Sequence, residues 1–274
     1  MGPFIKSSDT TFKIKLRLLL SLIPLLIYYV YINNYNSLIN ILIGISLSLL
    51  FSFINIYAFN NKCYKTDYML VSLILLLILP CNITVYITSL IITLVLKLIF
   101  DEYSININPI LISFISSYVM FNKYFINADI TLNLFIVNLI MYFIIFIYLL
   151  ITKTIKFNIT IFYILFTIML SYVMKIPVLY NVSLLFYSLY LITDSNTPVT
   201  PLGSIYYSLF LSIITIFLIK FNISPIIGIL FVSLFNGMFD NIGSISRFNY
   251  LKSLGLFIFA WILIIIMYII IHIL

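Results

Sequence analysis

The sequence predicts an all-α integral membrane protein with about 10–11 transmembrane helices. Hydrophobic residues make up 64% of the 274 residues, charged residues only 8%, and the mean hydropathy is +1.26. Apolar runs recur from about residue 18 to the C-terminus, separated by short polar breaks. So few polar groups cannot cover a soluble globule, and no extramembrane domain of useful size fits between the runs.

Eleven apolar runs define the predicted helices. They are 16–33, 37–59, 67–80, 83–100, 108–121, 131–152, 157–175, 179–193, 202–220, 224–240 and 249–274. Four of them would extend only about 20–25 Å at 1.5 Å per residue, less than the roughly 30 Å hydrocarbon layer. These four are 67–80, 108–121, 179–193 and 224–240. We expect them to be broken or re-entrant helices.

A short polar hinge occurs twice in the chain. The segment "NINPIL", Asn106–Leu111, returns as "NISPII", Asn222–Ile227, and the copies are preceded by the similar runs "SLIITLVLK" and "SIITIFLIK". Because the copies begin on opposite sides of the predicted membrane, the pattern predicts an inverted repeat. Chance similarity in an Ile- and Asn-rich composition is the alternative.

The repeat sets the predicted domain organisation. Residues 1–242 form a single membrane domain of two five-helix inverted repeats, at about 16–121 and 131–240. Residues 243–274 add a C-terminal transmembrane helix.

Each hinge places a proline behind a residue suited to cap a helix, at Asn108-Pro109 and at Ser224-Pro225. A helix that begins inside the membrane has unpaired backbone amides and the positive end of its dipole at its start. We therefore predict that Asn106, Asn108 and Asn222 line a site for an anionic or electron-rich group. Two helices that simply begin at the membrane surface are the alternative.

A second candidate binding element is the loop "LITDSNTPVTPLGS", Leu191–Ser204. Its two prolines forbid a continuous helix, and Asp194, Thr197 and Thr200 give it a carboxylate and hydroxyl lining. The pattern predicts either a rigid turn or a binding loop.

The net charge of +7 is spread along the ends of the apolar runs, which indicates membrane topology and excludes a nucleic-acid-binding face. With a cytoplasmic N-terminus, eleven bases lie inside and three outside. Those inside are Lys6, Lys13, Lys15, Arg17, Lys62, Lys65, Lys97, Lys153, Lys156, Arg247 and Lys252, and those outside are Lys123, Lys175 and Lys220. We expect Asp240 to be solvated or paired with a base such as Arg247, and we expect the same of Asp101 and Glu102, which follow Lys97.

Metal and redox chemistry find little support in the sequence. The cysteines Cys63 and Cys81 flank one predicted span and therefore cannot join, and His272 stands alone at the end of the last helix. Without a nucleotide-binding glycine pattern or a Ser/His/Asp constellation, we expect no independent catalytic site.

Four segments together resemble a known family. They are "GPFIKSSDTTFKIKLRLLLSLIPLL", "LILLLILPCNITVYITSLIITLVLKLIFDEYSININPILISFI", "LYLITDSNTPVTPLGSIYYSLF" and "SPIIGILFVSLFNGMFDNI". Over residues 2 to about 242 the chain resembles the RnfD/NqrB family, whose members are membrane components of the Rnf electron-transport complex and of the related sodium-pumping NADH:quinone reductase.

This resemblance implies a multi-pass protein in the bacterial plasma (inner) membrane, surrounded by lipid and by the other subunits of an Rnf-type complex. It also implies FMN as cofactor, which the family joins to a threonine in a Ser-Gly-Ala-Thr motif. The corresponding segment here, "FNKYFINADITLNLF", lacks that motif, and Thr131 is the nearest acceptor by position. The expectation is therefore FMN held without a covalent bond, or no flavin.

Two functions follow from the sequence. The first is an RnfD-like subunit of an ion-coupled electron-transport complex, acting as flavin or ion conduit or as scaffold. The alternative is a stand-alone inverted-repeat transporter or channel for a small polar or vitamin-like solute.

Overall fold

The computed structural model describes residues 11–33, 35–59, 65–103, 107–126, 135–175, 183–192, 200–221 and 223–243. These residues form twelve α-helices and no strand, so the predicted all-α membrane fold is confirmed. Five helices are long and apolar enough to cross a bilayer. They contain the spans Phe12–Asn33, Tyr35–Tyr57, Ile83–Tyr103, Phe157–Met174 and Leu202–Lys220.

The helices follow one another in chain order. They are α1 (Thr11–Asn33), α2 (Tyr35–Phe59), α3 (Lys65–Ile78), α4 (Ile83–Tyr103), α5 (Pro109–Met120), α6 (Asn122–Ile126), α7 (Phe135–Ile151), α8 (Phe157–Met174), α9 (Ser183–Tyr190), α10 (Pro201–Lys220), α11 (Pro225–Ser233) and α12 (Asn236–Gly243).

All four helices that the sequence marks as short are short in the structure. Helices α3, α5, α9 and α11 have 14, 12, 8 and 9 residues, so they extend about 12–21 Å at 1.5 Å per residue. None of the four can cross the roughly 30 Å hydrocarbon layer alone.

Two boundaries differ from the prediction. The run at 224–240 is one predicted helix, but the structure interrupts it at Leu234 and Phe235 and then begins α12. The residues of poor helix propensity, Asn236 and Gly237, lie just after the break, in the first turn of α12. Helix α6 is an additional five-residue helix, and the predicted C-terminal helix at 249–274 lies outside the described residues.

The chain divides into two compact units. Unit 1 comprises Met1–Ile105, Ile112–Ile130 and Phe143–Thr154. Unit 2 comprises Asn106–Leu111, Thr131–Tyr142 and Ile155–Leu274. The first hinge segment therefore belongs to unit 2.

In unit 1, α3 packs against α1, α2 and α4, and α2 packs against α4. Helix α2 presents a buried stripe of small and polar residues along its whole length, at intervals of three or four positions. The stripe consists of Ser37, Asn40, Gly44, Ser48, Ser52 and Asn55. Small residues let helix backbones approach closely within a membrane. At Gly44 the approach is so close that a Cβ atom would overlap the Tyr86 hydroxyl of α4.

In unit 2, α8 and α10 form the main helix pair, α9 packs against α8, and α11 and α12 pack against α10. Ser204, Ser208 and Ser212 form a buried small-residue stripe on α10. A Cβ atom at Gly228 would lie 2.9 Å from Ile214 Cγ2 and 3.0 Å from Leu218 Cδ1, so α11 also packs tightly on α10.

The repeated run before each hinge has the same environment in both units. Ser89 and Thr93 on α4, and Ser212 and Thr215 on α10, all have 0% of their surface exposed. Each hydroxyl donates to a carbonyl of its own helix at 2.6–3.0 Å. The duplicated sequence therefore serves the same packing role twice, while the inverted relation of the two halves stays a prediction.

Candidate functional site

The structure describes two of the seven predicted site residues, Asn108 and Thr200. The other five lie outside the described residues: Asn106, Thr131, Asp194, Thr197 and Asn222. Arg247, the expected partner of Asp240, also lies outside them.

Asn108 caps α5 as predicted. Its Oδ1 accepts a hydrogen bond of 3.0 Å from the Ile110 amide, and its backbone carbonyl accepts one of 3.2 Å from Leu111. Pro109 occupies the first helical position, where its missing N–H costs nothing. Ile110 and Leu111 are 2% and 1% exposed, so the start of α5 is buried in protein.

The second hinge begins a helix at the predicted proline but is not capped by its side chain. Ser224 precedes Pro225 with φ −59° and ψ 127°, and its hydroxyl makes no bond to the first turn of α11. Its backbone carbonyl accepts the Ile227 amide at 3.2 Å. The prediction of side-chain capping is thus wrong for Ser224: serine can cap a helix, but this hydroxyl is not directed at the first-turn amides.

Thr200 stands at the start of α10, followed by Pro201 in the first helical position. Its hydroxyl does not cap the helix, and its carbonyl accepts the Ser204 amide at 2.9 Å. A Cβ atom at Gly203 would overlap both the Thr200 hydroxyl and the Phe239 carbonyl oxygen of α12. Glycine therefore permits a close approach of two backbones here, and the Thr200 hydroxyl is packed against that contact.

A third helix start, between α3 and α4, is not part of the hinge repeat. Residues 79–82, "LPCN", are not helical, and Asn82 caps α4 by accepting the Thr84 amide at 3.0 Å and the Thr84 hydroxyl at 2.7 Å. Pro80 has no N–H, so the Leu76 carbonyl loses the donor that a continuous helix would supply. The available signal was a proline followed two residues later by asparagine, with threonine two residues beyond that.

The tyrosines of α2 place the break between α3 and α4 below the expected membrane surface. On α2, Tyr35 and Tyr57 are 73% and 80% exposed, and exposed tyrosines favour the two membrane interfaces. The 22 residues between them extend about 33 Å, which matches the thickness of the hydrocarbon layer. Asn40 is five residues, or about 7–8 Å, inside Tyr35. Because Asn40 contacts Cys81, the break lies at this depth.

Tyr29, Asn40 and Cys81 form a polar group at this break, which we call the break cluster. Asn40 is 0% exposed, and its Nδ2 lies 4.0 Å from Cys81 Sγ, a free thiol. The Tyr29 hydroxyl lies within side-chain hydrogen-bonding reach of both residues, although it makes no bond of standard geometry with either. Among the residues that the structure describes, neither Asn40 Oδ1 nor the Tyr29 hydroxyl has a hydrogen-bond partner.

A second polar network lies at the opposite end of unit 1, which we call the basic end. The Asn55 amide donates to the Tyr68 hydroxyl at 2.8 Å, and that hydroxyl donates to Asp101 at 3.2 Å. Lys97 pairs with Asp101 at 3.3 Å and lies 5.2 Å from the centre of the Tyr68 ring. Of the two expectations for Asp101, solvated or paired with a base, the structure shows pairing with Lys97.

Two further contacts tie α1 into the basic end. Lys15 forms an ion pair with Asp67 in the first turn of α3, and the Arg17 guanidinium donates to the Thr152 carbonyl at 3.1 Å. Neither contact was foreseen from the sequence, because the partners are 52 and 135 residues apart.

The described residues contain no group of three or more His, Cys, Asp or Glu side chains that could hold a metal ion. Thr131, the nearest candidate acceptor for a covalent flavin, and Thr197 both lie outside the described part of the chain.

A match to known proteins covers the part of the chain that carries the break cluster and the Asn108 cap. Residues 1–127 match the NQR2, RnfD, RnfE family. Over these residues the match agrees with the RnfD/NqrB resemblance of the sequence. No curated protein matches the chain.

Proposed function

We propose that this chain is a membrane subunit of an Rnf/Nqr-type electron-transport complex, and that unit 1 serves as an ion conduit within it. The family match over residues 1–127 carries the proposal, since it spans the helices that hold both polar clusters of unit 1. The complex would lie in the bacterial plasma membrane, with the other subunits as partners and FMN bound by this chain without a covalent bond or not at all.

The buried stripe of α2 supports a conduit. It joins the break cluster, through Asn40, to the basic-end network, through Asn55, over about 23 Å of helix. A helix face that is polar or small along its length is costly in a membrane unless it packs closely or serves transport. Ser48 and Ser52 donate to carbonyls of their own helix, which is the pattern of close packing. The two asparagines at the ends bond outside α2, so each end of the close-packed stripe carries a polar group that a conduit requires.

The charge distribution of unit 1 supports a cytoplasmic N-terminus. Lys15, Arg17 and Lys97 all contact partners at the basic end, and basic residues accumulate on the cytoplasmic side of membrane proteins. The break cluster would then open toward the outer face.

The test is purification of the tagged full-length chain from its native membranes in a mild detergent. We expect other integral membrane subunits to co-purify in fixed stoichiometry. Flavin fluorescence of the same fraction measures whether FMN accompanies the chain. Protein that elutes alone and without flavin would contradict the proposal. Asn55→Leu, which removes one end of the polar path, is expected to lower ion-coupled activity of the assembled complex without releasing the subunit.

A stand-alone transporter for a small polar solute is the second candidate. The observations that favour it are the Asn108 and Asn82 caps, because helices that begin inside a membrane commonly line a solute site. Uptake into liposomes that contain the purified chain alone would support it, and Asn108→Ala combined with Asn222→Ala should then abolish uptake. Uptake unaffected by both changes would exclude the hinge as the solute site.

A further inference from the structure

The break cluster is incomplete as a hydrogen-bonding group. Asn40 is fully buried, yet its Oδ1 has no donor among the described residues, and the Tyr29 hydroxyl, although within reach of Asn40 and Cys81, makes no hydrogen bond of standard geometry there. An unsatisfied buried amide oxygen costs about 1–3 kcal/mol, so a polar helix residue in this position calls for an additional partner. The other polar groups at the break are satisfied, since Asn82 caps α4 and the Tyr86 hydroxyl donates to the Ser72 carbonyl at 3.2 Å.

The chemistry of the cluster defines the missing partner. Asn40 Oδ1 accepts only, the Tyr29 hydroxyl donates and accepts, and the Cys81 thiol is a weak donor and acceptor. A molecule that donates one hydrogen bond to Asn40 and makes a second one with Tyr29 satisfies both. Water meets this requirement, and buried waters typically hold two to four such bonds.

We propose that the break cluster is a hydrated site within the membrane, which binds water from the adjacent aqueous phase and makes Cys81 accessible to small aqueous thiol reagents. Cys81 is partly exposed and lies in the non-helical segment, so its thiol is the member of the cluster that stands at the surface of unit 1. The inference concerns unit 1 alone and does not depend on membership of a complex.

Cys81 provides the probe. In a Cys63→Ser background it is the only thiol of the chain. A positively charged methanethiosulfonate reagent, which does not enter lipid, reacts when a thiolate attacks its sulfenyl sulfur, forming a disulfide and releasing methanesulfinate. Because the thiolate is the nucleophile, the rate reports access to water. Intact-protein mass spectrometry measures the rate on the full-length chain in proteoliposomes.

Leu42 offers a matched control, since it is on α2 only two residues from Asn40 and is 67% exposed on the outer surface of unit 1. We expect Cys81 to react at least about tenfold faster than the thiol of Leu42→Cys/Cys63→Ser/Cys81→Ser, a difference of about 1.4 kcal/mol in the barrier. Asn40→Leu should slow the reaction of Cys81 by a similar factor.

Tyr29→Phe removes one hydroxyl with little change of shape. It therefore provides a second test of the cluster if Asn40→Leu fails to fold. It should also slow the reaction of Cys81. A small rotation that bonds Asn40 directly to Tyr29 would make the cluster dry. Equal rates for Cys81 and for the position 42 variant would show this and overturn the proposal, as would a Cys81 rate unchanged by both Asn40→Leu and Tyr29→Phe.

Discussion

Both units contain a helix with a buried stripe of small residues, but the two stripes differ in the polar residues that they contain. In unit 2 the stripe on α10 contains only hydroxyl side chains, and Ser208, Ser212 and Thr215 all donate to carbonyls of their own helix. In unit 1 the stripe on α2 contains Asn40 and Asn55, which bond outside their helix. The serines of both stripes serve close packing, whereas the asparagines connect α2 to polar clusters. Unit 1 is therefore the better candidate for transport chemistry.

Unit 2 is not free of unsatisfied polar groups. The Tyr163 hydroxyl is buried on α8 without a hydrogen-bond partner among the described residues. It lies within side-chain hydrogen-bonding reach of Thr215 and near Tyr187, in continuous helices, whereas the break cluster lies beside a backbone interruption. The interruption of the helix, and not the presence of a buried hydroxyl, therefore distinguishes the break cluster.

Close packing in unit 2 should be the feature most sensitive to substitution. Gly203→Ala places a methyl group against the Phe239 carbonyl oxygen, a backbone atom that cannot move without displacing α12. We expect a loss of about 2–3 kcal/mol in unfolding free energy, as for other overpacked sites. Thermal unfolding in detergent measures it. The control is Gly237→Ala, since nothing lies within 4 Å of its added Cβ, and a loss as large in the control would refute the explanation.

The equivalent contact in unit 1 should cost less stability when it is overpacked, and a second substitution should remove that cost. Gly44→Ala meets the Tyr86 hydroxyl, the far end of a side chain, so we expect a smaller loss of about 1–2 kcal/mol. In a Tyr86→Phe background the obstructing oxygen is gone, and Gly44→Ala should become neutral or stabilising because alanine favours helix by about 1 kcal/mol. A double-mutant cycle measures this coupling. Additive effects of the two substitutions would show that the contact is not responsible.

The basic-end network of unit 1 gives a third comparison, between a hydrogen bond that joins helices and one within a helix. Tyr68→Phe removes the acceptor of Asn55 and a donor to Asp101, and should cost about 1–2 kcal/mol because buried polar groups lose partners. Ser208→Ala in unit 2 removes only a bond to its own helix, so a change within about 0.5 kcal/mol is expected. Chemical denaturation of both variants in detergent compares them, and equal losses would contradict the distinction.

The sequence predicted the fold well wherever hydrophobic run length decides the outcome. The shortness of α3, α5, α9 and α11 follows from counting apolar residues. The start of α5 and of α11 follows from the position of a proline. It predicted the site less well, because long-range partners decide there. Nothing local to Asn40 signals Cys81 at a distance of 41 residues, and nothing local to Lys15 signals Asp67.

The two hinges show how one local pattern leads to two outcomes. Both copies place a capping residue before proline, and both begin a helix there, because proline at the first position depends only on the chain itself. Capping depends also on the direction of the side chain and on the backbone angles, and only Asn108 achieves it. Sequence similarity between the hinges therefore predicts their shared backbone path but not their shared chemistry.

That difference should appear as a small but clear effect on stability. Asn108→Ala removes the hydrogen bond to the Ile110 amide and should cost about 1 kcal/mol, the typical loss for an N-cap. Ser224→Ala removes no capping bond and should stay within about 0.5 kcal/mol of the parent chain. Thermal unfolding of the two variants in the same detergent measures the pair. Asn108→Asp is the rescue control, since aspartate keeps an acceptor oxygen at the same reach and should restore most of the loss. Equal effects of Asn108→Ala and Ser224→Ala would mean that both hinges are held by their prolines and backbone alone, and that the asparagine adds nothing to the start of α5.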